Sequence, residues 1–100
     1  MKQGWFFGNF EPSAYKDTDV EVCYRVHLKG EHWEWHYHKE ITEVNVLVEG
    51  KMIMHGKTLI SGDIFTIEPY EISDQEFIED CKIICVKTKN KPNDKFIIKV

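Results

Sequence analysis

Residue types that bind metal ions are concentrated in one short segment of the sequence. Three histidines and three glutamates lie between His32 and Glu43. Successive side chains of an extended strand alternate between its two faces, so residues two apart share a face. His36 and His38 are therefore predicted to share a face with about 7 Å between their Cα atoms, which lets two imidazole rings approach one ion.

Glu43 begins the next predicted strand, after a turn at residues 39–42. If the chain folds back there, the carboxylate returns to the two imidazoles. Two neutral imidazoles and one carboxylate, here His36, His38 and Glu43, leave one face of an octahedron free for water, dioxygen or a chelating substrate, as is typical of non-haem Fe(II). Mn, Ni, Co or Zn would also fit these donors. The sequence thus predicts a divalent metal ion of open identity, whose occupancy falls below about pH 6 as imidazoles protonate.

Short alternations of hydrophobic and polar residues run along most of the chain. They predict strands over residues 20–28 and 44–48, a hairpin over 51–60 that turns at His55 and Gly56, and a last strand near the C-terminus. β-branched and aromatic residues fill these runs, and Gly, Pro, Asn and Asp separate them. Because no amphipathic helix of three turns is found, the spacing indicates an all-β sandwich or barrel.

Composition limits the size and class of the protein. The 100 residues, of which 42% are hydrophobic, predict a single domain with one core. The net charge of −4 differs from the basic footprint of a nucleic-acid binder. No segment approaches the roughly 20 apolar residues that span a bilayer, and no signal peptide is recognised. We therefore expect no nucleic-acid or membrane partner and a cytoplasmic location, where the three cysteines are reduced thiols without a ligand role.

The domain is expected to have three parts: an N-terminal aromatic arm and loop at 1–19, a barrel at 20–88, and a C-terminal strand or tail at 89–100. The arm contains Trp5, Phe6, Phe7 and Phe10. So many apolar rings require something to pack on, either the chain's own barrel or a partner subunit. We favour the partner, and with it a homodimer.

The spacing of glycines around the polar segment resembles a known motif. Gly30, five residues, His36-x-His38, four residues, Glu43, six residues and Gly50 are similar to the first conserved motif of the cupin superfamily. The flanking strands also fit, so the resemblance covers most of the chain. It implies a double-stranded β-helix, the cupin jelly-roll barrel, which is often dimeric and binds a metal ion in its mouth. Cupins range from dioxygenases to sugar isomerases to non-catalytic binding proteins.

The second cupin motif is incomplete in this sequence. It begins normally at Gly62-Asp63, but Glu68, Tyr70 and Ser73 stand where the family has a proline, a glycine and a metal-binding histidine. Serine is a poor ligand for a divalent metal ion. Either the site has three protein ligands or a neighbouring residue supplies the fourth.

Several residues are candidates for completing the site. Asp74, Glu71 and His32 are considered, in that order, as a substitute ligand. Asn45 is expected in the pocket because it shares a strand face with Glu43. Tyr70 is another pocket candidate, and Glu71 and Tyr70 are the candidates for proton transfer.

Trp33, Trp35 and Tyr37 are predicted to form an aromatic face opposite the histidines. This face is expected to pack in the core or at a dimer interface, and the alternative is a stacking platform for a sugar or an aromatic substrate.

The function expected from these residues is that of a small metal-binding cupin. It would be a metalloenzyme, of oxygenase or isomerase/lyase type, acting on a small polar molecule. The alternative is a non-catalytic module that binds a sugar or another small molecule.

Overall fold

The computed structural model describes residues 4–8, 10–16, 19–89, 91 and 93–98. This part of the chain is built from short strands, and every pair that they form is antiparallel. Their bounds are β1 Trp5–Phe7, β2 Glu21–His27, β3 His36–Tyr37, β4 Glu43–Glu49, β5 Lys51–Met54, β6 Lys57–Ile60, β7 Ile64–Ile67, β8 Glu76–Phe77, β9 Cys81–Lys87 and β10 Phe96–Ile97.

The strands form one large sheet and two small ones. The order of the large sheet is β1-β2-β9-β4-β7, and the small sheets are β6-β5-β8 and β10-β3. The predicted all-β class is confirmed, as are the strand over 20–28 and the hairpin over 51–60. No helix among the described residues is long and apolar enough to cross a bilayer.

The buried core lies between the large sheet and the β6-β5-β8 sheet. Its members are apolar side chains from both layers: Leu47, Met52, Phe77, Cys81 and Ile83. Because β4 and β9 run antiparallel, Leu47 lies opposite Ile83 while Glu43 lies opposite Lys87. The inward face of the large sheet is therefore apolar at one end of the barrel and polar at the other.

The N-terminal aromatic arm belongs to the chain's own sheet. β1 pairs with β2, and Trp5 lies opposite Cys23. From the sequence, this arm was expected to cover a partner subunit. Backbone hydrogen bonds to β2 instead hold the arm on its own barrel, where Trp5 is half-buried.

Asp94 fixes the turn that carries the chain from β3 to β4. Its carboxylate accepts hydrogen bonds from the backbone N–H groups of Lys39 (3.1 Å), Glu40 (3.0 Å) and Ile41 (3.0 Å). Burial raises the pKa of Asp94, but these hydrogen bonds outweigh it, so the pKa of Asp94 is lowered from its usual value. The C-terminal segment thereby sets the path between His38 and Glu43.

We predict that Asp94→Asn lowers the free energy of unfolding at pH 7 by about 1.5–3 kcal/mol, since an amide replaces an acceptor that carries charge. Because the folded pKa of Asp94 is lowered, its contribution is present above its unfolded pKa of about 3.9 and is lost as the pH falls through the folded pKa. Urea unfolding of both proteins at pH 7 and pH 3 measures this. If the difference in unfolding free energy between the two proteins is as large at pH 3 as at pH 7, the role given to the Asp94 carboxylate is contradicted.

Gly50 makes the bend between β4 and β5. Its φ is +117°, and a Cβ there would lie 2.5 Å from the carbonyl oxygen of Asp80 and 2.9 Å from the Cα of Cys81. Gly30 also has a positive φ, +76°, but a Cβ there meets nothing within 4 Å. The two motif glycines therefore differ: Gly30 supplies backbone freedom alone, and Gly50 also allows β9 to begin against the bend.

We predict that Gly30→Ala costs about 1–2 kcal/mol of stability, which is the strain of a left-handed backbone. Gly50→Ala should cost more, by a further 1–3 kcal/mol or so, because backbone atoms of β9 must move as well. Denaturant unfolding of the two variants side by side tests the difference. Equal losses of stability in the two variants would show that neighbouring atoms leave room for a Cβ at Gly50.

Candidate functional site

A cavity of about 110 Å³ opens at the polar end of the barrel. His36 enters it from β3 and His38 from the segment just after β3, while Glu43 and Asn45 enter from β4. Glu43 and Asn45 face inward because residues 43, 45 and 47 of β4 share the buried face. The structure thus brings the three predicted metal ligands and Asn45 to one cavity.

The ring of His36 is oriented by a backbone carbonyl and lies near the ring of His38. The His36 Nδ1 donates a hydrogen bond to the backbone carbonyl of Glu34 at 3.0 Å. This leaves the His36 Nε2 as the nitrogen that can accept a metal ion or a proton. The ring of His38 lies 5.5 Å from the ring of His36, centroid to centroid, at an angle of 85°.

Glu43 lies beside His38 in a buried environment. The nearest atoms are the His38 Nδ1 and the Glu43 Oε2, 3.7 Å apart. Burial lowers the pKa of His38, and it outweighs the nearby Glu43 carboxylate, which acts in the opposite direction. His38 is therefore held toward the neutral form, which is the form that binds metals.

Cys85 contacts the other oxygen of Glu43. Its thiol donates to the Glu43 Oε1 at 3.6 Å. The pKa of Cys85 is raised by its hydrogen bond with Cys23, by burial and by the charge of Glu43. A neutral thiol is a hydrogen-bond donor rather than a metal ligand.

The candidate metal ligands lie near one another in pairs, His36 with His38 and His38 with Glu43. Within the described ranges, no group of three or more His, Cys, Asp or Glu side chains is arranged so that it could hold a metal ion as it stands. The donor types nevertheless fit a divalent ion, because two imidazoles and a carboxylate line the same cavity.

Ser73 lies in the cavity wall at the position of the missing histidine. Its backbone N–H donates to the His36 carbonyl at 2.8 Å, and its hydroxyl accepts from the Gln75 side chain at 3.2 Å. The Asn45 side chain is 3% exposed. Among the buried side-chain atoms of the described residues, its Nδ2 is left without a hydrogen-bond partner.

The residues considered as a replacement ligand do not line this cavity. Asp74 accepts a hydrogen bond from the His55 backbone at 3.0 Å, and Glu71 accepts one from the Glu68 backbone at 2.9 Å. Both carboxylates thus cap turns outside the barrel. His32 is exposed on the segment before β3.

Tyr70 also points away from the cavity. It has a positive φ of 68°, is 66% exposed, and stacks on Tyr37 with 6.1 Å between ring centroids. The turn at this residue directs the side chain to the surface. Neither Tyr70 nor Glu71 therefore stands where the sequence analysis placed a group for proton transfer.

The predicted aromatic face does not form as expected. Regular strand geometry covers only His36 and Tyr37, so the two-residue alternation does not extend back to the tryptophans. Trp33 lines the cavity together with the histidines, while Trp35 is 47% exposed.

A cavity-lining histidine that is paired with a carboxylate was missed from the sequence. The His27 Nδ1 lies 2.5 Å from the Glu31 Oε2, and the Trp33 indole N–H donates to the same oxygen at 2.5 Å. Burial raises the pKa of Glu31, but the hydrogen bonds from His27 and Trp33 leave it lowered. The His27 ring stacks on Phe77 at 4.3 Å. The available signal was the inward parity of β2, which His27 shares with Cys23.

Three cationic side chains also line the cavity: Arg25, Lys87 and Lys95. The Arg25 guanidinium lies 5.1 Å from the centre of the Trp33 ring. Arg25 could have been found from the parity of β2 and Lys87 from that of β9, whereas Lys95 precedes β10 and is brought in by the tertiary fold alone.

No protein-family profile and no curated protein sequence matches the chain. Solved structures do. An uncharacterised conserved protein with a double-stranded β-helix domain from Klebsiella pneumoniae has a TM-score of 0.69 and 16% identity, over 84% of this chain and 78% of that one. The DMSP lyase DddQ from Ruegeria pomeroyi has a TM-score of 0.72 and 12% identity, over 88% of this chain and 47% of that one.

A cupin-2 domain protein from Shewanella frigidimarina is similar as well. Its TM-score is 0.59 at 23% identity, over 73% of this chain and 74% of that one. At these identities the likeness concerns the fold. The chain therefore has the double-stranded β-helix fold of the cupin superfamily, as a single small all-β domain.

Proposed function

We propose that this chain is a small metal-dependent enzyme of the isomerase or lyase type, which moves a proton on a small polar molecule held in the barrel. The observation that carries the proposal is the presence, in one cavity, of the donors His36, His38 and Glu43 together with His27, whose Nδ1 is bonded to the Glu31 carboxylate outside the cavity lining. The first group is suited to a divalent metal ion and the second to proton transfer.

The metal would be held by the two imidazoles and the carboxylate. His36 has its Nδ1 satisfied by a backbone carbonyl, and His38 is held toward its neutral form. Because the described donors meet only in pairs, binding by all three requires a side-chain adjustment. Fe(II), Mn, Ni, Co and Zn all accept such a donor set, so its chemistry does not select one of them.

When bound, the metal ion polarises a carbonyl or carboxylate oxygen of the substrate. His27 is the group that takes a proton from the carbon next to that carbonyl. The C–H bond breaks, its electron pair moves toward the carbonyl, and the proton is held on the His27 Nε2. The proton returns to a second carbon in an isomerisation, or the electron pair expels a leaving group in an elimination.

Glu31 is the positioning residue for His27. Its carboxylate fixes the proton on the His27 Nδ1 and stabilises the imidazolium that forms when the Nε2 accepts a second proton. Trp33 holds the same carboxylate oxygen, and Phe77 stacks on the imidazole ring. The base is therefore held in one orientation before the substrate arrives.

The pairing of His27 with Glu31 favours a proton-transfer reaction over an oxygenation. An oxygenase needs open metal positions but no preorganised base, whereas isomerisation and elimination require one. The fold neighbour from Ruegeria pomeroyi is a lyase, which is consistent with this choice.

A non-catalytic binding module is the second candidate. It is favoured by the pairwise rather than threefold approach of the donors in the described part of the chain. A cavity of about 110 Å³ would then hold a small molecule without metal chemistry.

We predict that His36→Ala lowers the affinity for a divalent metal ion by at least about 100-fold, since even the loss of an outer partner of a ligand costs about 10–100-fold. Glu43→Gln should also weaken binding, because a charged oxygen is removed. Equilibrium dialysis of chelator-treated protein against Fe(II), Mn, Ni, Co and Zn, with elemental analysis, measures this. His32→Ala is the matched control, since His32 is exposed and outside the cavity.

The same metal content in His36→Ala and His32→Ala would contradict the metal proposal. Thermal unfolding of both variants must be recorded alongside, so that loss of metal is not confused with loss of the fold.

We predict that the metal-loaded protein catalyses exchange of the methyl protons of pyruvate with D₂O, and that His27→Gln slows this exchange by about 10²–10⁴-fold, the usual contribution of a general base. Glu31→Gln should slow it less and shift its pH profile, as expected for a positioning residue. Proton NMR follows the exchange, and His32→Gln is the control. Metal binding without any exchange in the parent would favour the binding module.

A further inference from the structure

The charge of the cavity is opposite to that of the whole chain. The sequence has 17 acidic and 13 basic residues, which gives a net charge of −4. The cavity is lined by three basic side chains, Arg25, Lys87 and Lys95, and by a single carboxylate, that of Glu43. Basic groups thus exceed acidic ones in the cavity before any metal ion is added. This segregation indicates a site whose ligand is negative.

Aromatic rings hold the two lysines in place. The Lys87 Nζ lies 4.8 Å from the centre of the Trp5 ring, and the Lys95 Nζ lies 5.4 Å from the centre of the Trp33 ring. An ammonium over an indole face is attracted by the ring quadrupole and loses part of its conformational freedom. The N-terminal arm, through Trp5, therefore contributes to the wall of the site.

The lysines of the cavity also differ from those of the surface in their partners. Lys82 pairs with Glu49 at 2.9 Å, and Lys91 pairs with Glu40 at 3.1 Å. In the part of the chain that the structure describes, no carboxylate lies within 4.0 Å of the Lys87 or Lys95 ammonium. Their charges remain available to a ligand.

The Asn45 side chain independently indicates that a hydrogen-bond acceptor binds in the cavity. Its side chain is 3% exposed, lines the cavity, and leaves the Nδ2 donor unbonded. A buried donor without an acceptor costs free energy, so such groups usually mark the place of a ligand or a water. Asn45 lies opposite Cys85, two residues from Lys87 on β9, so its amide and the Lys87 ammonium enter from adjoining positions.

The size of the cavity limits the ligand. A dry cavity of about 150 Å³ holds one benzene molecule, and the volume here is about 110 Å³. The part of a ligand inside the barrel is therefore restricted to fewer than about six non-hydrogen atoms, by comparison with benzene.

We propose that the cavity binds a small carboxylate of two or three carbons, whose carboxyl group is received by Lys87, Lys95 and Asn45. This inference deepens the proposed function by naming its substrate class, since the rest of the molecule would lie toward His27 and the candidate metal ligands. The recognition of the anion itself uses no metal ion, so it can be measured without one.

The test compares pyruvate with pyruvamide, which has the same shape without the charge, on ¹⁵N-labelled protein treated with EDTA. NMR reports three indole N–H groups. Trp5 and Trp33 line the cavity, whereas Trp35 is exposed outside it. We expect saturable shifts of the first two signals with pyruvate, no comparable shift of the third, and an affinity for pyruvamide lower by about tenfold or more, since hydrogen bonds to charged groups exceed neutral ones.

Lys87→Met and Lys95→Met should each weaken pyruvate binding by about tenfold, since each removes one charge-assisted contact. Lys87→Arg retains the charge and should keep most of the affinity. Lys82→Met is the matched control, because Lys82 lies on the same strand with its side chain on the exposed outer face. It should bind pyruvate as the parent does.

Equal affinity for pyruvate and pyruvamide, or equal affinity in the Lys82→Met and Lys87→Met variants, would overturn the inference. Tighter binding of inorganic phosphate than of any of acetate, glycolate and pyruvate would overturn the carboxylate class. If the parent protein binds pyruvate but takes up none of the five metal ions in the dialysis experiment, the proposed enzyme is contradicted and the anion site stands. If the protein binds metal but has equal affinity for pyruvate and pyruvamide, the anion site is contradicted and the proposed enzyme stands.

Discussion

The antiparallel register of β2, β9 and β4 is the constraint on which the site depends. Glu43 lies opposite Lys87, and Asn45, Cys85 and Cys23 lie in one row across the three strands. A slip of one residue would turn every inward side chain to the outside. The same register that buries Leu47 against Ile83 therefore also collects the polar groups at the other end of the barrel, and the core stabilises the geometry of the cavity.

Local patterns predicted the parts of the site that lie close together in the chain. The inward parity that Glu43 shares with Asn45 follows from strand geometry and holds in the structure. His36 and His38 line one cavity as well, although His38 lies just after β3. Trp33 was assigned to the wrong face because the strand that would carry the alternation is only two residues long. The alternation of side chains can be read from a sequence, but the length of the strand that carries it cannot. That length depends on backbone pairing with the partner strand, which here is the short β10.

Other residues could not be placed because distant segments bring them in. Lys95 reaches the cavity through the C-terminal segment, whose Asp94 is bound to the backbone of residues 39–41. Trp5 reaches it because β1 extends the large sheet. Neither connection has a local signature, since both depend on hydrogen bonds between residues far apart in sequence. The double-stranded β-helix was predictable as a class, whereas the contribution of Trp5 and Lys95 to the cavity wall was not.

The proposed metal ion and the proposed carboxylate would depend on each other energetically. Lys87 lies opposite Glu43 on the neighbouring strand and also acts on His38, whose pKa it helps to lower. The same positive field opposes a divalent cation, and a bound carboxylate would offset that field. By linkage, any gain in metal affinity that the carboxylate brings equals the gain in carboxylate affinity that the metal brings. Such a pocket would bind its metal ion most tightly when substrate is present. The basic side chains, which oppose a metal ion on their own, would thus couple the binding of the two ligands.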